Sequence, residues 1–435
     1  MAGSDKSADV LVVGGGLAGL SAAACAARAG AKVVLFEKAG TLGGRGGTQE
    51  RDGFLLNQGA HALYAAGPGR GVLKELGVAT PGRKPSAAVG YLIDGGAKHT
   101  FPGGFLSLLS TDVVSWPAKL EVARILATLP RLDASAWDAV SVDDALERLV
   151  RREEVRNLLR ALIRLSTYGN DPKRQSAGAA LAQLQLALSA NVLYIDGGWR
   201  TLVDGLRGVA ERAGVRIVSG VRVEHLESNG ATVDVRVAGE ESYRAGSVVL
   251  AIAPAEAAEI SGGIAGAVLR RWAEAAIPVY AACLDVCLER VPVPRATFAL
   301  GVDQSVYLSV HSAAARLAPE GRGLISLMKY LGPKAGDGEA DERELEGVLD
   351  LVQPGWRDVT LHSRFLPRMV VSHGLATAAM KGLAGRPGPD LPGVGNVLVA
   401  GDWVGPEGLL ADASLASGKA AGERAALRRP AAAAA

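Results

Sequence analysis

The chain has few cysteines and few histidines for its 435 residues. Three cysteines are too few for a disulfide framework and are typical of a protein in a reducing compartment. Cys283 and Cys287 lie in one apolar stretch with no histidine at a metal-ligand spacing, so we assign both to the core. The six histidines are scattered, and the closest pair is His362 and His373. We therefore predict no metal site.

An excess of charge of one sign is also lacking. The chain has 47 basic and 45 acidic residues, which gives a net charge of +2. This balance produces no strong field for phosphate backbones, so we predict no nucleic-acid partner. With 20 prolines, no three-residue period and 49% hydrophobic residues, the sequence excludes a collagen-like fibre and a disordered linker. Its length predicts at least two lobes.

One apolar run, residues 8–27, is long enough to be considered as a membrane span. Four glycines interrupt this run, no basic flank precedes it, and it continues directly into another strand-like segment. We therefore interpret it as neither a signal peptide nor a spanning helix, and we predict a cytoplasmic protein. Peripheral contact with a membrane stays open as an alternative, although no strongly basic amphipathic helix supports it.

Glycine, by contrast, is abundant. The chain has 56 glycines in 435 residues, about 13% against an ordinary usage of about 7%. The first group of glycines lies between two apolar runs that predict buried strands, residues 9–13 and 32–37. Residues 17–29, between these runs, are alanine-rich and predict a helix. Strand, glycine turn, helix and strand form a βαβ unit, which predicts a parallel sheet with helices on both faces.

The glycine turn of this unit has the spacing Gly14-x-Gly16-x-x-Gly19, and Glu37 ends the second strand. Such glycines permit a tight turn, close approach of a pyrophosphate and close packing of the helix on the strand. The helix N-terminus supplies N–H groups and partial positive charge to the phosphates, and the acid accepts ribose hydroxyls. The motif predicts a dinucleotide site.

Two further motifs favour FAD over NAD as this dinucleotide. An acid at the position of Glu37 suits both and disfavours NADP. Gly43, Gly44 and Arg45 form a second glycine turn, whose guanidinium can reach a phosphate or a flavin edge. Residues 397–402 predict a buried strand that ends at Gly401 and Asp402, where the acid could hold a ribityl hydroxyl. An NAD-dependent dehydrogenase, which would be colourless, is the alternative.

These motifs resemble those of the FAD-dependent amine oxidase and phytoene desaturase superfamily, whose members have a glutathione-reductase-like FAD domain. The resemblance also extends to residues 53–61, residues 221–223 and residues 401–421, and it covers nearly the whole chain at low detail. It implies an α/β fold with a Rossmann FAD-binding domain and an inserted α+β substrate domain, or cap. We assign residues 8–80, 195–262 and 388–427 to the first domain. The cap comprises residues 81–194, with a helical insertion from 116 to 188, and residues 263–387; residues 428–435 are a low-complexity tail.

The resemblance further implies which residues contact FAD. The first turn would face the pyrophosphate, the backbone near Val223 would meet the adenine, and N–H groups of about Ala411 to Ala413 would face the flavin pyrimidine ring. Gly405, Gly408 and Gly418 would lie in turns that approach the cofactor. The implied cofactor-binding residues are Gly14, Gly16, Leu17, Ala18, Gly19, Glu37, Lys38, Gly43, Gly44, Arg45, Gly59, Ala60, His61, Val223, Gly401, Asp402, Leu410, Ala411 and Ala413.

Two departures from the family pattern limit the chemistry. No cysteine lies in residues 390–420, so the FAD is expected to be noncovalent. Asn57 stands where many relatives have an acid, which argues against a charge-based role there. His61 is a candidate for a position near the flavin, with a purely structural role as the alternative, and no other catalytic residue is assigned. Further pocket candidates, each of which could also be structural, are Tyr168, Trp199, His311, Arg364 and Glu407.

A bound flavin would carry the redox step, so the substrate class has to come from the cap. The cap is rich in Leu, Ala and Val, and residues 191–202 resemble a segment of phytoene desaturase-like proteins. We therefore predict dehydrogenation of a hydrophobic, isoprenoid or polyene substrate by hydride transfer to flavin N5, with O2, a quinone or NAD(P) as acceptor. The alternatives are an amine or protoporphyrinogen-type oxidase that uses O2, and a flavoprotein without net redox turnover, either an isomerase or a structural partner.

Overall fold

The computed structural model describes residues 6–86, 90–102, 105–239, 241–334 and 336–428. The strands in these residues are β1 (Ser7–Val13), β2 (Val33–Glu37), β3 (Thr48–Arg51), β4 (Phe54–Asn57), β5 (Leu63–Tyr64), β6 (Gly82–Arg83), β7 (Gly90–Asp94), β8 (Ala97–Thr100), β9 (Val192–Ile195), β10 (Arg216–Ser219), β11 (Val223–Ser228), β12 (Val233–Val237), β13 (Ser242–Leu250), β14 (Val279–Leu288), β15 (Phe298–Gly301), β16 (Val306–Val310), β17 (Gly323–Tyr330), β18 (Thr360–Ser372) and β19 (Val397–Val399). The α-helices are α1 (Leu17–Arg28), α2 (Pro68–Leu76), α3 (Phe105–Ser110), α4 (Trp116–Thr128), α5 (Val142–Leu149), α6 (Glu153–Thr167), α7 (Ala177–Ala190), α8 (Arg200–Arg212), α9 (Pro254–Ile260), α10 (Gly263–Ala275), α11 (Gly338–Val352) and α12 (Leu410–Leu427). The predicted tail, residues 428–435, lies outside the described residues apart from Arg428.

The first sheet contains the predicted βαβ unit, which is confirmed. Its parallel strands run in the order β10-β2-β1-β13-β19, and β13 continues into an antiparallel meander with β12 and β11. Successive side chains of a strand point to opposite faces. Val10 and Val12 therefore join a core with α1, α8 and α12, whereas Leu11 and Val13 join a core with α9 and α10.

Helices α1 and α12 pack very closely in the first of these cores. A Cβ atom at Gly418 would lie 2.3 Å from the carbonyl oxygen of Ala18, and one at Gly422 would lie 2.2 Å from that of Ala22. The prediction that Gly418 lies in a turn facing the cofactor was wrong, because this glycine is in the middle of a helix. Its missing side chain is what lets the two backbones approach.

The second sheet belongs to the other lobe and has the order β18-β14-β17-β16-β15-β7-β8. Its pairs are antiparallel except for β15 with β7. Helices α4 to α7 form a layer on the β7 and β15 side and lie in the region from 116 to about 188 where helices were predicted. Cys283 and Cys287 are buried in β14, as predicted. The α/β class with an inserted α+β lobe is thus confirmed.

The proposed domain boundary at residue 262 needs adjustment. Helix α10 follows it and would belong to the cap, yet Val268 and Leu269 pack in the core of the first sheet. We propose that the cap resumes near β14. Among the described residues, no helix is both long and apolar enough to cross a bilayer, and the apolar run at 8–27 is divided between β1 and the 12-residue helix α1.

Candidate active site

Two cavities meet where the two lobes join. The smaller cavity, about 310 Å³, lies at the carboxyl ends of β1, β2, β13 and β19. The larger cavity, about 860 Å³, lies in the second lobe. Ala62 and Tyr168 line both cavities, so the two spaces adjoin. Ligands of parallel α/β sheets bind at the carboxyl ends of the strands, which makes the smaller cavity the expected dinucleotide site.

Most of the residues that the resemblance implied line the smaller cavity. They are Gly14, Gly16, Leu17, Ala18, Glu37, Lys38, Gly43, Gly44, Arg45, Ala60, His61, Gly401, Asp402, Leu410 and Ala411. Segments from both ends of the chain therefore converge on one space, although nearly 400 residues separate Gly14 from Ala411 in sequence. The remaining four predicted residues do not line it.

Each of these four has another role. Gly19 lies under the first turn, where a Cβ atom would be 1.8 Å from the carbonyl oxygen of Gly14. Gly59 places its carbonyl oxygen 2.9 Å from Nδ1 of His61. The Val223 side chain is buried in the core beneath the meander, and the contact of its backbone with an adenine stays a prediction. Ala413 is fully buried inside the start of α12.

The first glycine turn leaves open space where a phosphate would sit. Gly14 has φ +105°, and a Cβ atom there would be 2.6 Å from the carbonyl oxygen of Ala251. At Gly16 the nearest atom to an added Cβ is the carbonyl oxygen of Gly43, at 3.8 Å. The Gly43 N–H donates to the Gly15 carbonyl oxygen at 2.8 Å and joins the two glycine turns. The turns thus form one cradle whose open side is the cavity.

Glu37 is fixed at the edge of this cradle. One carboxylate oxygen accepts a hydrogen bond from the Gly15 N–H at 2.6 Å, and the other accepts from the Ala39 N–H at 2.8 Å. Each carboxylate oxygen has two lone pairs, so both can accept a further donor. Lys38, beside it, forms an ion pair of 2.7 Å with Glu256 across the cavity rim.

Asp402 is buried beneath the second glycine turn and is ion-paired. Arg45 Nη1 lies 2.7 Å from its Oδ2, and the His373 N–H donates to the same oxygen at 3.2 Å. Burial alone would raise the pKa of Asp402, but the Arg45 guanidinium and His373 outweigh burial and hold this pKa well below its usual range. Arg45 also donates to the Val371 carbonyl oxygen at 2.7 Å. The guanidinium was predicted to reach a ligand. In the structure it links Asp402 to β18.

The start of α12 presents two backbone N–H groups to the smaller cavity. The N–H groups of Asp412 and Ala413 both donate hydrogen bonds to the Leu409 carbonyl oxygen, at 3.1 and 3.4 Å. Those of Leu410 and Ala411 have no acceptor in the described part of the chain. Leu410 has φ +56°, a left-handed conformation that is unusual for leucine and is found most often at functional sites. The facing N–H groups are thus slightly earlier than the predicted Ala411 to Ala413.

His61 and Trp199 line the smaller cavity, and Tyr168 lines both cavities. The His61 ring meets the Trp199 ring edge-on with centroids 4.7 Å apart, and the Tyr168 hydroxyl donates to the Ala60 carbonyl oxygen at 3.3 Å. Burial lowers the pKa of His61, so its ring is neutral near pH 7. Three other pocket candidates do not line either cavity. His311 is buried behind Tyr194, Arg364 pairs with buried Asp285 at 2.6 Å, and Glu407 is exposed.

Sequence reasoning missed several residues of the smaller cavity. Ala251, Ile252 and Ala253 directly follow β13, so the rule that ligands bind at the carboxyl ends of parallel strands could have found them. No motif marks the residues that β18 and the following turn supply. The missed lining residues are Gly46, Gln58, Ala62, Ala251, Ile252, Ala253, Glu256, Met369, Val370, Val371, His373, Trp403 and Ser414.

The larger cavity has a mostly apolar wall from α4, α6 and α7, which includes Val122, Leu159, Leu162 and Leu184. Tyrosines and a few other hydroxyl groups lie among these residues. No aspartate or glutamate lines the cavity within residues 6–86, 90–102, 105–239, 241–334 and 336–428. Its lysine and arginine are the exposed pair Arg83 and Lys84.

Three features together are typical of one class of protein. They are a parallel sheet with a glycine turn, an acid at the end of its second strand, and a carboxyl-terminal helix that faces the same cavity. This class is that of the two-domain flavoproteins with a cap. Residues 17–426 match the family described as flavin containing amine oxidoreductase. The chain belongs to this family, and the resemblance predicted from its motifs is confirmed.

Individual relatives span several activities. A phytoene desaturase of Cercospora nicotianae is 27% identical over 266 residues, 53% of this chain and 42% of that protein. A putative flavin-containing monoamine oxidase of Mycobacterium tuberculosis is 28% identical over 271 residues, 57% of each protein. The chain thus spans about half the length of these curated relatives. An oxidoreductase from Methanosarcina mazei has the same fold, with a TM-score of 0.76 and 19% identity over 94% of this chain and 99% of that one.

Proposed function

We propose that the chain binds FAD noncovalently in the smaller cavity and dehydrogenates an apolar, isoprenoid or polyene molecule held in the larger cavity. The observation that carries this proposal is the join between the two cavities. A cradle for a dinucleotide adjoins a space of about 860 Å³ whose lining is mostly apolar and includes no carboxylate among the described residues.

The residues of the smaller cavity fit FAD. Gly16 leaves room at the cradle, Glu37 has free lone pairs for ribose hydroxyls, and the N–H groups of Leu410 and Ala411 have no acceptor among the described residues. The first N–H groups of a helix lack an intrahelical acceptor and form a binding site for anions, which favours a ligand acceptor at the α12 start. Cys25, Cys283 and Cys287 are buried and none lines the smaller cavity, which favours noncovalent binding.

When bound, FAD supplies the acceptor for the electrons of the dehydrogenation. The N-terminus of α12 carries partial positive charge and would stabilise negative charge at the edge of the ring system that it faces. Asp402, held ionised by Arg45, keeps the second glycine turn and β18 in place around the site. His61 and Trp199 form part of the wall of the smaller cavity, with their rings in edge-on contact.

The larger cavity favours a neutral, apolar substrate over an amine. Burying a cation costs several kcal/mol unless a counter-charge accompanies it, and the described lining offers no carboxylate. Apolar surface gains about 25 cal/mol per Å² when it leaves water, so the leucine-rich wall can bind a hydrocarbon body. The phytoene desaturase among the relatives is consistent with such a substrate.

Anaerobic mixing of the purified holoprotein with phytoene or with putrescine tests this proposal. We expect the flavin absorbance band to bleach with phytoene and to stay unchanged with putrescine. Reoxidation by air, by a quinone or by NAD(P)⁺ then identifies the acceptor. Bleaching by putrescine alone would replace the proposal with an amine oxidase, and a protein purified without flavin absorbance would refute the cofactor.

A further inference from the structure

One wall of the larger cavity carries a compact group of hydroxyls that an apolar hydrocarbon would not need. Tyr194, Tyr307 and Ser309 all line the cavity and form the hydroxyl cluster. The Tyr194 hydroxyl lies 2.8 Å from that of Tyr307 and 3.1 Å from that of Ser309. Tyr307 in turn lies 3.3 Å from Nε2 of His311, whose ring stacks on Tyr194 at 4.2 Å.

The fold holds this cluster rigidly. Tyr307 and Ser309 are two residues apart in β16, so their side chains leave the same face of the strand. Tyr194 reaches the same point from β9. All three residues are buried, as is His311. Hydroxyls placed by strands and locked by mutual hydrogen bonds form a preorganised group.

The cluster lies at the end of the larger cavity that adjoins the smaller one. Tyr307 packs in the same buried group as Ala60, which lines the smaller cavity. Ala62, which lines both cavities, packs against the buried group that contains Tyr194. A substrate atom held by the cluster would therefore be close to the proposed redox centre.

The number of hydroxyl protons that the cluster can donate to a ligand depends on which ring nitrogen of His311 carries its proton. Three hydrogen bonds join three hydroxyls and one imidazole, and burial lowers the pKa of His311 to about 3, so its ring is neutral. With the ring proton on Nδ1, the three hydroxyl protons fill the three bonds. With the ring proton on Nε2, His311 donates to Tyr307, and one hydroxyl proton is left for a ligand.

The structure favours the second tautomer. Within the described residues, no acceptor lies at hydrogen-bond distance from Nδ1 of His311. A buried N–H without an acceptor is rarer and more costly than an unpaired acceptor atom. The proton is therefore on Nε2, where it has a partner, and the cluster presents one free O–H donor to the cavity.

Tyr330 supplies a second, independent donor. Its side chain lines the larger cavity, is 1% exposed and packs in the same group as Tyr307. Its hydroxyl has no hydrogen-bond partner among the residues that the structure describes. An unpaired buried hydroxyl destabilises a protein by about 1–3 kcal/mol, so its presence here points to an acceptor on a bound molecule.

We propose that the hydroxyl cluster and Tyr330 bind a neutral oxygen atom of the substrate, either a carbonyl or a hydroxyl oxygen. The preferred substrate is then an apolar molecule with an oxygen function near the bond that is oxidised, whereas a plain hydrocarbon such as phytoene binds through the apolar wall alone. Among the described lining residues the cations are Arg83, which lies opposite Tyr194 across the β6–β9 pair, and Lys84, and both are exposed to solvent. Arg164, whose charge acts on Tyr330, does not line the cavity and donates to the Gly301 and Val302 carbonyl oxygens, so we take the bound oxygen to be neutral. This inference deepens the proposed function and rests on it.

A matched pair of ligands, 2-tridecanone and tridecane, tests the inference on the holoprotein. Binding is followed by tryptophan fluorescence, so it does not depend on turnover. Two variants remove donors but keep the rings: Tyr330→Phe and the triple variant Tyr194→Phe/Tyr307→Phe/Ser309→Ala. Tyr64→Phe is the control, because it removes a hydroxyl of the same cavity that already donates to the Ser166 carbonyl oxygen at 2.6 Å.

We expect at least one of the two variants, Tyr330→Phe and the triple variant, to raise the Kd of the ketone about tenfold. The same variant should change the Kd of the alkane less than twofold. Tyr64→Phe should change neither. Equal effects on both ligands, or none in either variant, would overturn the inference. If the triple variant loses its flavin, the carbonyl stretch of the ketone on the wild-type protein decides instead: a frequency below that in hexane supports the inference, and the hexane value contradicts it.

Failure of this inference is distinct from failure of the proposed function. Selective ketone binding in a protein whose flavin no apolar substrate bleaches would refute the function and retain the oxygen site. Flavin bleaching by phytoene with no selective ketone binding would retain the function and refute the oxygen site.

Discussion

At the residue scale, Glu37 links the first glycine turn to the loop after β2 at the edge of the proposed dinucleotide site. Its carboxylate holds the Gly15 and Ala39 N–H groups and keeps further lone pairs for a ligand. The sequence predicted this acid from its place at the end of β2. The hydrogen bonds to the glycine turn were not predicted, because they depend on the angle at which β2 ends.

Replacing Glu37 should weaken cofactor binding in steps. Glu37→Ala removes a charged acceptor whose hydrogen bonds are each worth about 1.5–3 kcal/mol, so we expect the Kd of FAD to rise about tenfold to hundredfold. Glu37→Gln keeps one acceptor oxygen and should fall between Glu37→Ala and the wild type. FAD titration of the three apoproteins measures these values, and equal affinities would contradict the assignment of Glu37.

Gly16 tests the position of the cradle. An added Cβ atom would meet no protein atom closer than 3.8 Å, so Gly16→Val places its side chain in the cavity rather than in the core. We expect this variant to fold and to be purified without flavin absorbance. Gly40→Val is the control, because Gly40 has no atom within 4 Å of an added Cβ and lies on the exposed loop after β2. A yellow Gly16→Val protein would place the cofactor elsewhere.

Asp412 should make the stability of the protein depend on pH. Burial raises the pKa of Asp412 to about 7, and the one hydrogen bond from the Gly69 N–H, of 2.9 Å, only partly opposes this effect. The folded state thus binds its proton more tightly than the unfolded state, whose carboxyl titrates near pH 4. The stability that this proton provides is complete below about pH 4 and is lost as the pH rises to about 7.

Asp412→Asn, which cannot ionise, tests this dependence. We expect the variant to have a higher Tm than the wild type at pH 8 and nearly the same Tm at pH 4. Thermal unfolding at the two pH values, with the flavin content checked at each, gives the comparison. A difference in Tm that is the same at both pH values would show that Asp412 does not titrate in this range.

At the element scale, the α1–α12 pair determines where the start of α12 lies. The pair packs through Gly418 and Gly422, while the Ser417 hydroxyl accepts a hydrogen bond from the Gly401 N–H at 2.9 Å. Helix α12 is therefore held against both the first helix and the turn after β19. The N–H groups of Leu410 and Ala411, for which the described part of the chain offers no acceptor, take their position from this packing.

Gly418→Val should separate the two helices. The new side chain would overlap the carbonyl oxygen of Ala18, and overpacking of this kind costs about 1–3 kcal/mol. We expect a lower Tm and a reduced flavin content. Gly347→Val, in α11, is the matched control, because the same change in a helix there meets no atom within 4 Å. Similar losses of Tm in both variants would attribute the effect to helix propensity instead of packing.

Local patterns predicted elements well and contacts across the chain poorly. The βαβ unit, the helical insertion and the buried strand β19 follow from apolar runs and glycine turns within short windows. Gly418 was misassigned because a glycine in a helix and one in a turn look alike in sequence, and only the partner helix distinguishes them. His373 was missed because its contact with Asp402 is a contact between the lobes. It depends on where β18 of the second lobe ends against the first lobe.

At the scale of the whole molecule, two lobes enclose two adjoining cavities. The first lobe supplies the cradle, and the second supplies an apolar chamber with a few hydroxyls near the join. The leucine-rich composition of the cap predicted such a chamber only in outline, because a solid core has the same composition. Which side chains face the cavity depends on how α4, α6 and α7 pack over the second sheet.

The most direct test of the central claim blocks the larger cavity without touching the cradle. Ala187 lines that cavity from α7, and Ala187→Trp would fill part of it, whereas Ser189→Trp places the same ring on the exposed side of the helix. The measurement is the rate at which phytoene bleaches the flavin under anaerobic conditions. We predict bleaching in the wild type and in Ser189→Trp, and its loss in Ala187→Trp with the flavin content unchanged. Undiminished bleaching in a yellow Ala187→Trp protein would contradict the account.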